Sequence, residues 1–83
     1  MTRTTTGTQP TFEIRTSAHG VQRFRIGSKV WVTNEQHEAV VVEDVAEKHG
    51  AMIIDYTVAT RAYAGDTGMR WAYADSISRV VTF

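Results

Sequence analysis

Residues 51–77, AMIIDYTVATRAYAGDTGMRWAYADSI, limit the choice of fold more than any other stretch. Two alternating runs flank a reversal. In the first run Met52, Ile54, Tyr56 and Val58 fall on one face, with Ile53, Asp55, Thr57 and Ala59 on the other. Successive side chains of a strand point to opposite sides, so this spacing predicts a strand. Its β-branched and aromatic side chains suit a pleated, half-buried surface. The second run sets Met69, Trp71 and Tyr73 against Arg70, Ala72 and Ala74. Between them, Ala64-Gly65-Asp66-Thr67-Gly68 offers positive φ angles and a side chain that bonds to nearby backbone. The pattern predicts a β-hairpin with a short glycine-containing loop. Ala74-Asp75-Ser76-Ile77 then predicts a short 3-10 turn capped by Asp75, and Val80, Val81 and Phe83 a closing strand.

With 83 residues the chain makes one domain near the small end for a self-sufficient core. Burial at ~25 cal/mol per Å² barely exceeds the entropy of ordering so short a chain. It has no cysteine, so neither a disulfide nor a thiolate metal site reinforces it. Oligomerisation or docking on a partner is the remaining common reinforcement. No apolar run approaches the ~18–20 residues of a transmembrane span, and no secretion signal is legible. The expectation is a soluble protein without membrane contact, cytoplasmic or virion-associated.

The formal charge is zero but uneven. Arg3, Arg15, Arg23, Arg25 and Lys29 face one acid, Glu13, in the first thirty residues. Lys48 faces Glu35, Glu38, Glu43, Asp44, Glu47 and Asp55 in the next thirty. Overall balance argues against a dedicated duplex-DNA binder. A basic third beside an acidic third permits pairing between copies or with a polar partner.

Residues 1–10, MTRTTTGTQP, are Thr-rich and poor in large apolar groups, which predicts a flexible arm. Residues 11–26 predict an accessory hairpin around Ser17-Ala18-His19-Gly20. There Arg15, Arg23 and Arg25 interleave with Phe12 and Phe24, a pattern on which bases stack and phosphates pair. The same pattern describes a half-buried strand with a solvated outer side. Lys29-Val30-Trp31-Val32-Thr33 predicts a further strand. Residues 34–50 are ambiguous: Thr33 and Gln36 resemble a capping box and Gly50 a helix stop. The β-branched Val40-Val41-Val42 favours a strand over 38–45, with a turn through Glu47-Lys48-His49-Gly50.

No catalytic signature stands out. His19, His37 and His49 lack metal-ligand spacing and read as surface residues, so neither a metal nor a cofactor is expected. Ser28, Ser76 and Ser78 lack a nucleophile context, and Asp66 reads as a turn residue. The aromatics Trp31, Tyr56, Tyr63, Trp71 and Tyr73 carry the strongest functional signal. Clusters of this kind beside acids such as Asp55 and Asp75 bind extended peptides or cations. One tryptophan and one tyrosine are expected in the core, with Tyr63 and Tyr73 exposed.

From Phe24 to Val81 the chain resembles the SH3-like small barrels, the group that includes Tudor and KOW domains. The resemblance lies in Phe24-Arg25-Ile26-Gly27-Ser28-Lys29-Val30-Trp31-Val32, in Trp71-Ala72-Tyr73, and in Ala74-Asp75-Ser76-Ile77 before Arg79-Val80-Val81. It covers about two-thirds of the chain and is a pattern of apolar positions and turns. It implies an all-β fold: one SH3-like five-stranded barrel over 27–83, an N-terminal hairpin and arm, and a 3-10 turn before the last strand. In layout the chain is also similar to type II dihydrofolate reductase, which forms a tetramer. Where that family carries a Val-Gln-Ile-Tyr run, this chain reads Arg70-Trp71-Ala72-Tyr73. Only the tyrosine matches, and Val32 stands near the place of the pore lysine. Small barrels also serve as accessory proteins of phages and mobile elements and as virion parts. The expected function is therefore a non-enzymatic adaptor binding a protein partner or itself, with nucleic acid as the second class. Its expected contact residues are Arg61, Tyr63, Arg70, Trp71 and Tyr73, with Arg15, Arg23 and Arg25 as nucleic-acid or inter-subunit contacts. A structural subunit of an assembly and a homo-oligomeric enzyme are the alternatives.

Overall fold

The computed structural model describes residues 10–83. Apart from Pro10, the arm expected over residues 1–10 lies outside the described residues. Eight strands and one 3-10 turn form the regular structure, with no α-helix among the described residues. The first hairpin pairs β1 (Phe12–Thr16) with β2 (Gly20–Phe24), Phe12 opposite Phe24 and Thr16 opposite Gly20. Its turn is tied by Thr16 Oγ1, which donates to the Gly20 carbonyl at 3.0 Å and accepts from the His19 amide at 3.0 Å.

One three-stranded sheet places β3 (Lys29–Val32) between β4 (Val40–Val41) and β8 (Ile77–Thr82). The other places β6 (Ala51–Thr57) between β5 (Asp44–Lys48) and β7 (Met69–Tyr73). All neighbours are antiparallel.

The valine-rich stretch is extended, as its β-branched side chains favour, but it is bent rather than straight. β4 pairs in one sheet and β5 in the other. At the bend the Val42 amide donates to the Ser28 carbonyl at 2.9 Å, and the Glu43 amide to the Asp55 carbonyl at 2.8 Å. One continuous segment thus passes from sheet to sheet, a corner of the kind found between crossed sheets. The turn that follows is shorter than the expected 47–50. Glu47 and Lys48 stay in β5, and only His49 and Gly50 reverse the chain, at φ 54° and 80°. Two successive positive φ angles make the hairpin turn whose twist matches the flanking strands.

The hairpin predicted over 51–74 forms, with Ile53 opposite Tyr73 and Thr57 opposite Met69. Its loop is longer than the pentapeptide expected. Residues 58–68 all lie outside the strands, with the Val58 amide bonded to the Gly68 carbonyl at 2.8 Å at the neck. The 3-10 turn spans Ala74–Ser76 before β8, as expected. Asp75 does not cap it, for the capping position is Tyr73 and no side chain bonds there. Asp75 instead sits inside the first turn.

The core is one cluster: Ile14, Phe24, Val30, Val32, Val40, Val42, Ile54, Tyr56, Val58, Ala72, Ala74 and Ile77. The expected inner face is buried at Ile54 and Tyr56 of β6 and at Val58 just past its end, with Met52 packed at the margin. Ile14 and Phe24 bring the first hairpin into this cluster, so the hairpin packs as part of the main core. Gln22 adds a polar tie, its Oε1 accepting the Val80 amide at 2.6 Å. Ser28, fully buried, accepts the Arg25 amide at 2.8 Å and donates to the Phe83 carbonyl at 3.2 Å.

Candidate functional site

The alternation in β7 decides where the aromatics go. Ala72 is buried opposite Ile54, because the space below is filled by Ile54 and Tyr56. Ala72 therefore faces inward, with Arg70 on the same side of the strand, and Met69, Trp71 and Tyr73 stand on the solvent side. Trp71 is 54% exposed and Tyr73 49%, which leaves half of each ring available for contact. Their rings meet edge to face, centroids 5.4 Å apart at 84°, the arrangement that the ring quadrupoles favour.

The strand register extends this pair into a surface. Tyr73 lies opposite Ile53, which lies opposite Ala46. The next row is Trp71, Asp55 and Asp44, and on the other side Ala51 pairs with Lys48. A recess of about 250 Å³ opens at the Lys48 end, lined by Lys48, His49, Ile53, Trp71 and Tyr73. Beyond Tyr73, a second depression of about 370 Å³ reaches Arg15, Met52 and Asp75. Tyr73 lines both depressions.

The loop of residues 58–68 is built around one carboxylate. Asp66 accepts the Ala62 amide at 2.8 Å and the Gly68 amide at 2.9 Å. Arg70 binds it through two nitrogens, at 2.9 and 2.6 Å, the fork geometry that strengthens such pairs. The Arg70 bond first, then the two amides, hold the Asp66 carboxyl well below the usual carboxylate range. The neighbouring loop of residues 33–39 is pinned to it. Glu38 accepts the Ala59 amide at 3.1 Å, and Glu35 accepts the Tyr56 hydroxyl at 2.9 Å. Burial first, then Glu35, pushes the Tyr56 hydroxyl pKa well above its ordinary value.

The lowered Asp66 pKa has a pH consequence. The group stabilises the fold fully above its unfolded pKa of about 4, and that contribution is lost as pH falls below it toward the depressed folded value. Asp66→Asn is expected to lower stability at neutral pH and to flatten its pH dependence below about pH 4. Denaturant titrations from neutral to acidic pH check this; parallel curves for the two proteins contradict it.

The contact residues expected from the sequence separate into groups. Trp71 and Tyr73 share one surface. Arg70 lies on the opposite face of β7 and is engaged by Asp66. Arg61 folds back, its guanidinium donating to the Val58 and Ala59 carbonyls. Tyr63 is exposed on the loop and accepts the Asp66 amide through its carbonyl at 3.1 Å. Of the other aromatics, Tyr56 is buried and Trp31 half-buried.

The arginine–phenylalanine face of the hairpin does not form as a stacking surface. Phe12 and Phe24 pack on each other at 5.5 Å, with Phe24 fully buried, while Arg15 and Arg23 lie on the outside. Arg23 is 3.3 Å from Glu13 in an exposed pair, an interaction of small energetic weight. Arg25 lies 4.3 Å over the Phe83 ring and bonds its carbonyl at 3.2 Å.

Sequence reasoning missed Lys48 and His49 as neighbours of the aromatics, because it placed both in a turn. Ile53 was legible, since the alternation already set it apart from Ile54 and Tyr56. His19, His37 and His49 are all exposed. Among the described residues no group of three His, Cys, Asp or Glu side chains is placed to hold a metal. No helix among them is long and apolar enough to cross a membrane. No family model, curated protein or solved structure matches the chain.

Proposed function

We propose that the chain is a small non-enzymatic binding module of SH3-like, five-stranded layout, and that it contacts a protein partner through the outer face of β5, β6 and β7. Strand order supports the layout. If the bent β4–β5 segment counts as one strand, five strands run from Lys29 to Thr82, with the 3-10 turn before the last. One observation carries the functional reading: Trp71 and Tyr73, half exposed and packed edge to face, stand beside Ile53 on a sheet face with a recess at its end. Tryptophan and tyrosine are enriched among the few side chains that dominate interface energies. Nucleic acid is the weaker fit. The phenylalanines of the hairpin are turned inward, and Arg25, Arg61 and Arg70 are engaged within the molecule.

The test uses the full chain as immobilised bait for proteins of its own source cell. A partner retained by the native chain is expected to bind the double variant Trp71→Ala/Tyr73→Ala roughly 30-fold more weakly or worse, since hot-spot truncation costs ~2 kcal/mol or more. Thermal melting of that variant is expected to change little, because both side chains are half exposed. Arg23→Glu, on the outside of the first hairpin, is expected to leave retention intact. Full retention by the double variant overturns the reading.

A further inference from the structure

On the same sheet face, we infer that the partner is a second copy of this chain, docked by a two-fold axis that lies in the contact plane and crosses the strands. This rests on reading the face as a contact surface. The outer side chains form rows, the last of them Thr57 with Met69, and three consecutive rows precede it. Lys48 and Ala51 make the first, with His49 beside them. Ala46, Ile53 and Tyr73 make the second, and Asp44, Asp55 and Trp71 the third. The face thus has a basic end, an apolar middle and an acidic end.

The acidic row holds a local conflict. Asp44 and Asp55 sit directly opposite each other on neighbouring strands, and both are exposed. Like charges in that arrangement destabilise a strand pair. Among the described residues neither carboxylate forms an ion pair; Asp44 only accepts the Val45 amide at 2.9 Å. An external cation would relieve the conflict. A two-fold axis through the middle row supplies one. It lays Lys48 of each copy over the Asp44–Asp55 pair of the other, with Ile53 and Tyr73 meeting across the axis. Such a contact is self-complementary, as a two-fold interface requires. Turned the other way, with the axis along the strands, the same face would stack acid on acid.

Three strands ~4.8 Å apart and five residues at ~3.4 Å each give a face about 15 by 17 Å. This is well under the ~800 Å² per partner of a standard stable interface. The dimer is accordingly weak, and weakened further by salt.

Sedimentation equilibrium of the full chain at low salt tests this between about 10 μM and 1 mM, concentrations that reach weak association. The native chain is expected to pass from monomer to dimer. Lys48→Asp makes the face acidic at both ends, and Asp44→Lys/Asp55→Lys makes it basic at both ends. Each variant alone is expected to stay monomeric, and an equimolar mixture of the two to dimerise again. That recovery also shows that both variants fold. A native chain monomeric throughout, a dimer in either variant alone, or a mixture that stays monomeric overturns the inference. The failures remain distinguishable. If the native chain stays monomeric while Trp71→Ala/Tyr73→Ala still loses a captured protein, the second copy is excluded and the contact surface stands. If that variant loses nothing, both fall.

Discussion

Phe24→Ala is expected to cost about 3–5 kcal/mol, the range for deleting a buried aromatic ring. A domain of this length holds only roughly 4–12 kcal/mol in total, so the variant is expected to be marginally folded at best. Phe24 is fully buried, packs on Phe12, and belongs to the same cluster as Val30, Ile54 and Ile77. An accessory hairpin would behave differently: losing its anchor would fray residues 12–24 and leave the two larger sheets standing. Urea denaturation monitored by strand circular dichroism separates the cases. The packing described above predicts a large fall in the midpoint for the whole transition. Val21→Ala, at an exposed position on the same strand, is expected to stay within about 0.5 kcal/mol. A loss under about 1 kcal/mol for Phe24→Ala would show that the hairpin is not part of the core.

The second large effect is expected at Gly68, which closes the long loop. Its φ is 83°, in the region that side chains other than hydrogen rarely adopt. A methyl group there would lie 2.5 Å from the Val58 carbonyl oxygen and also collide with the Arg61 guanidinium. The arginine can move, but the carbonyl belongs to the backbone at the neck of the loop. Gly68→Ala therefore carries backbone strain and overlap together, about 2–4 kcal/mol. It also displaces the amide that bonds Asp66, so the Asp66–Arg70 latch should loosen with it. Gly65→Ala is the control: φ is 89°, with open space where the methyl would go. It should cost the strain alone, about 1–2 kcal/mol. Equal thermal midpoints for the two variants would contradict this account of the loop neck.

What was legible in the sequence is what alternation encodes. Ile54 and Tyr56 announce the buried side of β6, and the three valines announce extended chain. Period two cannot say where a strand bends. Val42 and Glu43 differ from their neighbours only in the carbonyls they find, Ser28 and Asp55, both distant in sequence. The turn through Glu47-Lys48-His49-Gly50 was legible but not its length: the chain reverses on the two positive φ angles of His49 and Gly50, so Glu47 and Lys48 stay paired in β5. Loop length was misjudged for a similar reason. The glycines at 65 and 68 mark a reversal, while the segment before them is held by Glu38 and Asp66 through tertiary bonds.

The candidate site was half legible. Trp71 and Tyr73 were placed on one side of β7 by spacing alone. Arg70, one residue away, was grouped with them although period two sends it to the other face, where Asp66 waits. The arginine-rich hairpin face failed as a stacking surface for the same geometric reason: Phe12 and Phe24 alternate with Arg23, so burying one set exposes the other.

The most direct measurement is an amide nuclear magnetic resonance map of the isotope-labelled full chain, followed as a captured protein or further unlabelled chain is added. A contact surface on the outer face of β5, β6 and β7 predicts shifts concentrated at Asp44–Lys48, Ile53, Asp55 and Met69–Tyr73. The hairpin carrying Arg15 and Arg23 should stay unmoved. Shifts centred on that hairpin or on the loop around Glu38, with Trp71 and Tyr73 unchanged, would contradict it.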